Sequence, residues 1–329
     1  MNYNEKIDYS SLSTYIACPR QFLYQYMFHF RSSRPNIHLV FGSCWHYGLE
    51  VVYNRLKEDP NSLTIIDATE LSIAAFTTLW DLEGEPHFSD HDIIFPKSPG
   101  RASDMYHAYW TRYLETEDAT KKIIAVESPF VINLNILDKE SGGLLPNYIG
   151  RQDLLFQLPD GTLEIVDHKT AKALWKTTLS GFIMSYQTDG YLTAGEIFYD
   201  SIPKMTYSLA FFQKTAMKFE RFTIIKRKAA IEQFLFELIH IVKEIQRNIT
   251  LFHYELETKK LRNDNIISFP RCPGYACTMY MSNCPYFDLC GMRSNPLLWH
   301  NNPPQGYHVN EWDPDLHEEE MRKRLEEVS

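Results

Sequence analysis

No apolar run in the 329 residues is long enough to span a bilayer, which takes about 20 consecutive apolar residues, so a membrane-spanning helix is not expected. The opening stretch, MNYNEKIDYSSLSTYIACPRQF, lacks the basic-then-apolar order of a signal peptide; the chain is expected in the cytoplasm, with no membrane partner. Internal repeats and low-complexity segments are also missing, which excludes a solenoid or a disordered scaffold. Positive charge is in short supply, with 33 Lys and Arg against 42 Asp and Glu and a formal net charge of −9. That balance excludes a globally basic nucleic-acid coat but leaves room for a local basic groove, because distant charges are screened beyond about 8 Å at physiological salt. Lys214, Lys218, Arg221, Lys226, Arg227 and Lys228 form such a concentration, interrupted by Glu220. They read either as a groove wall or as an ordinary charged strand-to-helix junction.

What is present is ample core material, at 44% hydrophobic residues, and six cysteines. In a reducing compartment those cysteines argue for metal or cluster ligation rather than disulfides. Cys272, Cys277, Cys284 and Cys290 fall within FPRCPGYACTMYMSNCPYFDLC. A structural zinc site usually brings pairs two to four residues apart; Cys272 and Cys277 satisfy that, whereas Cys284 and Cys290 do not.

The stretch from Ile149 to Tyr191 carries the chemistry. Apolar runs over Asp153–Leu158 and Thr162–Val166 flank Pro159-Asp160-Gly161, which predicts a β-hairpin with a short Gly-containing loop. Alternation of side chains puts Asp167 and Lys169 on one face of the second strand. A hairpin symmetric about Asp160 sets Asp153 opposite Asp167. Directly opposed residues have Cβ atoms roughly 4.5–5.5 Å apart, where like charges destabilise a sheet. A divalent cation offsets that repulsion, because carboxylate oxygens are preferred ligands of Mg²⁺ and Mn²⁺. The plain alternative is a solvated Asp-x-Lys strand face. Helical spacing over Ser180–Tyr199 then places Gln187 and Tyr191 four apart on one helix face.

Around this stretch the chain reads as helices and strands in mixed order. Tyr9–Phe30 is predicted helical with a break at Cys18-Pro19, which would present the Cys18 thiol at a bend; taken alone, Cys18 is equally a small buried hydrophobe. A second helix is expected over His38–Leu56, with Gly42 and His46 on one face. Helices are expected over Ser62–Trp80 and Ser98–Leu114, joined by a loop containing His87 and His91. Lys122–Leu137 should be a strand or hairpin, on which Glu127 is either an acid flanking a metal or a plain strand residue. Lys204–Lys214 and Phe219–Ile225 are strand candidates, and Lys228–Asn248 is an amphipathic helix. After Glu311 an acid-rich tail is expected, with a short helix from Leu316. The order implies an α/β fold with a central sheet covered by helices.

Gly150-x-x-Asp153, Asp167-His168-Lys169-Thr170 and Gln187-x-x-x-Tyr191, together with Gly42-x-x-x-His46 upstream, resemble the core of PD-(D/E)XK nucleases, in particular their RecB-like exonuclease branch. The resemblance implies a restriction-endonuclease-like core, a central mixed sheet flanked by helices, with a helical insert and a Cys-rich iron–sulfur C-terminal segment. It implies a division into an N-terminal helical segment (1–37), a nuclease core (38–250) with an insert at 61–118, a cysteine-rich segment (251–295) and a tail (296–329). It implies a metal-dependent deoxyribonuclease acting on single-stranded DNA or duplex ends, in recombination or repair, CRISPR spacer processing or phage DNA metabolism. Protein partners in a recombination or CRISPR adaptation complex go with that reading. His46, Asp153, Asp167 and the backbone carbonyl of His168 would hold Mg²⁺ or Mn²⁺. Lys169 would orient or deprotonate water, with Gln187 and Tyr191 steadying it. Cys284-Pro-Tyr-Phe-Asp-Leu-Cys290 is similar to the end of that branch's cluster motif, so Cys18, Cys277, Cys284 and Cys290 would hold a [4Fe–4S] cluster. Six residues stand between Cys277 and Cys284 where the branch has two, Cys272 could replace Cys277, and Cys44 is left over. Two other readings are a non-catalytic iron–sulfur DNA-binding subunit of a larger nuclease or helicase complex, and a zinc-ribbon interaction protein in which the Asp-x-Lys match is accidental.

Overall fold

The computed structural model describes residues 5–33, 36–84, 88, 97–138, 145–171, 173, 176–201, 203–213, 216–259, 266–278, 283–292, 295–300 and 302–311. His87, His91, Lys214 and the helix expected from Leu316 lie outside the described residues. The chain divides into two compact units.

The first unit takes Met1–Ser33, Val131–Ile149 and Gln233–Arg322. It begins with strand β1 (Lys6–Asp8) and helix α1 (Tyr9–Ala17), whose start is fixed by a capping box between Asp8 and Ser11. Cys18 ends α1 in an extended conformation, φ −162° and ψ 106°, and helix α2 (Pro19–Phe22) begins after it. Proline disfavours a helical residue before it, so the bend at Cys18 is dictated locally. One π-helical turn (Leu23–Met27) leads to strand β2 (Phe30–Ser32). Arg20, itself buried, ties this N-terminal segment to the cysteine-rich one by donating from Nε to the Phe269 carbonyl at 2.8 Å. Phe22 stacks on Phe269.

The second unit takes Arg34–Phe130, Gly150–Glu232 and Lys323–Ser329. Three helices come first: α3 (Ile37–Glu58), α4 (Ile65–Glu83) and α5 (Pro99–Arg112). Each starts on a side-chain cap, from Asn36, Thr64 and Ser98 respectively. Strand β3 (Lys122–Asn133) follows; from Val131 the chain counts with the first unit, to which the helical turn α6 (Leu134–Leu137) belongs. The strand expected to Leu137 therefore stops at Asn133, because the Asn133 side chain accepts from the Asn135 N–H and turns the chain.

Strands β4 (Asn147–Gln157) and β5 (Leu163–Ala171) form the expected hairpin, with Gly161 at φ +85° in the turn. Their pairs run from Gln157–Leu163 to Leu154–Val166. Helix α7 (Lys176–Ile183) and helix α8 (Tyr186–Tyr199) replace the single helix expected over Ser180–Tyr199. The break falls at Ser185, whose hydroxyl accepts from the Gln187 N–H and starts a new helix. Strands β6 (Lys204–Phe212) and β7 (Met217–Ile224) complete the sheet of this unit. β5 and β6 are parallel, whereas β4–β5 and β6–β7 are antiparallel, so the sheet is mixed; β3 pairs with β4. Helix α3 covers one face, where Tyr53 stacks on His168 and Phe41 meets Phe212. Helices α7 and α8 cover the other, where Phe182 stacks on Tyr207 and the Thr188 and Tyr207 hydroxyls share a hydrogen bond.

Helix α9 (Lys228–Lys259) runs on into the first unit, burying Phe234, Leu238, Val242, Ile245, Ile249 and Phe252 along one stripe. Helix α10 (Phe287–Met292) and strand β8 (Tyr307–Val309), antiparallel to β2, close that unit.

A buried polar cluster braces the second unit. Arg221 donates to both oxygens of Asp118, at 2.5 and 2.8 Å, and stacks on Tyr113 with its guanidinium carbon 3.8 Å from the ring centre. Tyr53 donates to Asp118 at 3.0 Å, and Lys121 bridges Asp118 and Glu164 at 3.3 and 2.9 Å. Burial favours the neutral acid at Asp118, but Arg221 outweighs it and holds the carboxyl below its ordinary range. Removing one partner of such a pair strands the other charge in the interior. Asp118→Ala is therefore expected to lower unfolding free energy by about 3–5 kcal/mol in urea titrations.

Candidate active site

The alternation of β5 sends Asp167 and Lys169 to the α8 face of the sheet and His168 to the α3 face. Ladder pairing of β4 with β5 runs as far as Leu154–Val166, and Asp153 and Asp167 are the next residue on each strand. The carboxylate of Asp153 takes over the backbone's role there: its Oδ2 accepts from the His168 N–H at 2.8 Å and lies 3.2 Å from His46 Nδ1. His46 sits on α3, four residues after Gly42. A Cβ built at Gly42 would lie 3.8 Å from Thr170 Oγ1, an ordinary contact.

Asp167 is held differently. Lys169 Nζ lies 2.6 Å from its Oδ2, and Gln187 Nε2 donates to its Oδ1 at 3.0 Å. The same amide nitrogen reaches the Tyr191 hydroxyl at 3.1 Å, so the break that starts α8 at Ser185 aims both residues at β5. His46 thus meets Asp153, and Lys169, Gln187 and Tyr191 gather at Asp167; His168, expected to offer its backbone carbonyl, uses its backbone N–H on Asp153. Its ring is buried against Tyr53 and Tyr109, and both ring nitrogens lack hydrogen-bond partners among the described residues. Burial pushes that imidazole down to about 3, so it is neutral.

The two aspartates are driven apart in acidity. Burial, reinforced by Asp153, pushes Asp167 up to about 6 even though Lys169 opposes it. Burial acts on Asp153 in the same sense, but His46, Lys169 and His168 together hold it well below the ordinary carboxylate range. His46 shifts upward in turn, because Asp153 outweighs its desolvation. Paired titratable groups with diverging acidities mark sites of proton chemistry.

A third acid joins them. His46, Glu127 and Asp153 each offer one ligand atom, and these atoms all lie within 4.8 Å of one another. Ligands about 2.1 Å from a Mg²⁺ ion stand about 3–4.2 Å apart, so small rotations would close this group on one ion. Asp167 is not part of that close set, since Lys169 and Gln187 occupy it. Glu127 lies on β3 at φ +46°, a left-handed conformation that costs a non-glycine residue about 1–2 kcal/mol. Burial first, then Asp153 and Glu50, drive its carboxyl well above the usual range. Glu50, one helical turn after His46, and Arg151, 3.9 Å from Glu127, are neighbours the sequence reading does not single out. Their signal is spacing: Glu50 is four residues from His46 on a helix, and Arg151 two from Asp153 on a strand.

Among the described residues, four of the basic residues in this run pair with acids. Strand alternation buries Arg221 on Asp118, while Lys218 pairs with Glu220 at 2.5 Å, Lys226 with Asp189 at 2.5 Å and Lys228 with Glu196 at 3.0 Å.

In the first unit, Cys18, Cys272, Cys277, Cys284 and Cys290 line one cavity of about 140 Å³. The thiols of Cys18 and Cys277 bear electrostatically on Cys284, and those of Cys18 and Cys284 on Cys290, while Cys272 is the exposed one. Burial raises both Cys284 and Cys290, the latter to about 11. Four thiolates on one zinc ion, at about 2.3 Å each, would stand about 3.8 Å apart. Among the described residues, no three cysteine sulfurs lie within 4.8 Å of one another. Cys44 is buried in α3, in the other unit.

Residues 7–291 match a family model described as the PD-(D/E)XK nuclease superfamily. No curated protein matches the chain. Among solved structures it is similar to one described as "Crystal structure of SSO0001", at 12% identity and a TM-score of 0.30, covering 73% of this chain and 78% of that one. A likeness of that size supports no argument about function.

The ligand geometry can be checked without substrate. In calorimetric titration with Mn²⁺, Asp153→Ala is expected to lose at least about tenfold in affinity and Glu127→Ala to lose a measurable part. Unchanged affinity in both would remove the ion from this cleft.

Proposed function

The chain belongs to the PD-(D/E)XK nuclease superfamily, and from that premise we propose that it is a Mg²⁺- or Mn²⁺-dependent deoxyribonuclease of the RecB-like type that trims DNA ends. The observation that carries this reading is the meeting of Asp153, Asp167, His46 and Lys169 at the end of the β4–β5 ladder. His46, Asp153 and Glu127 would hold the ion, and Asp167 and the backbone carbonyl of His168 would complete its shell once Asp167 turns from Lys169 and Gln187. A divalent cation supplies Lewis-acid polarisation of a phosphodiester and acidifies water.

The remaining roles belong to the chain itself. Lys169, two residues past Asp167, is placed to orient or deprotonate the attacking water and to neutralise charge growing on the phosphoryl oxygens. Gln187 fixes the Asp167 oxygen that Lys169 does not engage, and Tyr191 fixes Gln187. His168 contributes rigidity, since its neutral ring is clamped by Tyr53 while its N–H holds Asp153. Single-strand preference and a place in recombination, CRISPR spacer processing or phage DNA metabolism follow from the RecB-like resemblance.

We further propose that Cys18, Cys277, Cys284 and Cys290 hold a [4Fe–4S] cluster. All-thiolate ligation suits such a cluster, and the four thiols line one cavity. Bound there, it would add its binding energy to the contacts already joining the N-terminal and cysteine-rich segments.

End-labelled single- and double-stranded DNA should be shortened in the presence of Mn²⁺ and left intact in EDTA. Asp167→Ala and Lys169→Ala should each slow cleavage by about 10²–10³-fold or more, with unchanged circular dichroism; wild-type rates in either would refute the site. Anaerobically purified protein should contain iron and sulfide, lost in Cys277→Ser and kept in Cys272→Ser. Stoichiometric zinc in their place would overturn the cluster.

A further inference from the structure

The charged side chains of the cleft follow the pairing of the strands, with β4 between β3 and β5. Glu127 comes from β3, Arg151 and Asp153 from β4, and Asp167 and Lys169 from β5. Their exposure is graded. The side chains of Asp167, Asp153 and Glu127 are 1%, 12% and 20% exposed, whereas those of Lys169 and Arg151 are each 33% exposed. The acids therefore form the floor of the cleft and the two cations stand nearer the solvent. Lys169 Nζ lies 2.6 Å from Asp167 Oδ2 on the β5 side, and Arg151 Nη1 lies 3.9 Å from Glu127 Oε2 on the β3 side. Each flank of the acid group thus carries one permanent positive charge.

A polyanion approaching this cleft meets several carboxylates, since Glu50 also bears on Glu127, in a chain of net charge −9. Cations at the rim are what would let a strand settle there. The mechanism above gives Lys169 the reacting phosphate and leaves Arg151 without a role. A guanidinium has five N–H donors in a planar fork, so contact with a cleft acid still leaves donors for a second anion, and the fork matches phosphate oxygens two at a time. We infer that Arg151 binds a backbone phosphate next to the scissile one, so that the DNA strand crosses the cleft from the β3 side to the β5 side, between Arg151 and Lys169. The inference rests on the nuclease reading and adds to it the line the substrate follows over the sheet.

The test is fluorescence anisotropy of the full chain with a labelled single-stranded oligonucleotide, read as the dependence of affinity on salt. Ca²⁺, or the Asp167→Ala background, keeps the oligonucleotide intact. Each phosphate neutralised on a single strand contributes about 0.7 to the slope of log affinity against log salt. Arg151→Gln and Arg151→Met, two neutral variants that guard against a folding defect in either, should each lower the slope by about that amount, whereas Arg151→Lys should keep it. Calorimetric Mn²⁺ affinity should not fall in any of the three, because taking a cation from beside Glu127 does not weaken the pull on another cation. The inference fails if the neutral variants keep the parent's slope, or if Arg151→Lys loses it as they do. It fails too if Mn²⁺ affinity drops as in Glu127→Ala, which would make Arg151 a support for Glu127. A parent that shortens DNA while its neutral variants keep the slope would overturn the inference and leave the nuclease reading standing; a parent that neither binds nor cleaves DNA would overturn both.

Discussion

A buried carboxylate is costly unless a cation or a hydrogen-bond donor meets it, and this chain buries two of them side by side where β4 and β5 part. Most of the second unit can be read as the answer to that cost. Asp153 needs His46, which places α3 across one face of the sheet, and it also accepts the backbone N–H of His168. Asp167 needs Lys169 from its own strand and Gln187 from α8, which places a helix on the other face. Because the compensation is unequal, burial prevails at Asp167 and the cationic neighbours prevail at Asp153. One acid is left near neutrality and the other firmly ionised, an asymmetry suited to holding a cation on one side and managing a proton on the other.

The same economy of charge explains the basic residues of β7 and the turn after it. With more acids than bases in the chain, Arg221 and Lys226 are taken up internally by Asp118 and Asp189, while Lys228 meets Glu196 at the surface. Arg221 in particular is a structural residue: it holds Asp118, which holds Tyr53, which lies on His168 between the two residues that matter most to the cleft. Stability and chemistry are linked there through a single stack of rings rather than through the cleft residues themselves.

The first unit is organised by a different constraint. Its three segments come from distant parts of the chain and are held by Arg20 on the Phe269 carbonyl, by the Phe22–Phe269 stack and by the β2–β8 pair. The cysteines collect where those segments meet, with Cys18 delivered by the bend that Pro19 imposes.

Much of this was legible from local pattern. Period-two alternation put Asp167 and Lys169 on one face, the Pro-Asp-Gly turn set the hairpin register as far as Leu154–Val166, helical spacing paired Gln187 with Tyr191, and proline placed the bend at Cys18. Each is a rule of backbone geometry that acts within a few residues, so the order of residues alone determined it. Other features needed contacts between residues far apart in sequence. The break at Ser185, the left-handed backbone of Glu127 and the internal pairing of Arg221 and Lys226 depend on what each segment packs against. So do the opposite acidities of the two aspartates and the gathering of the cysteines around one cavity. Desolvation and long-range charge pairing exist only once the chain is folded, and for that reason only the tertiary structure could decide them.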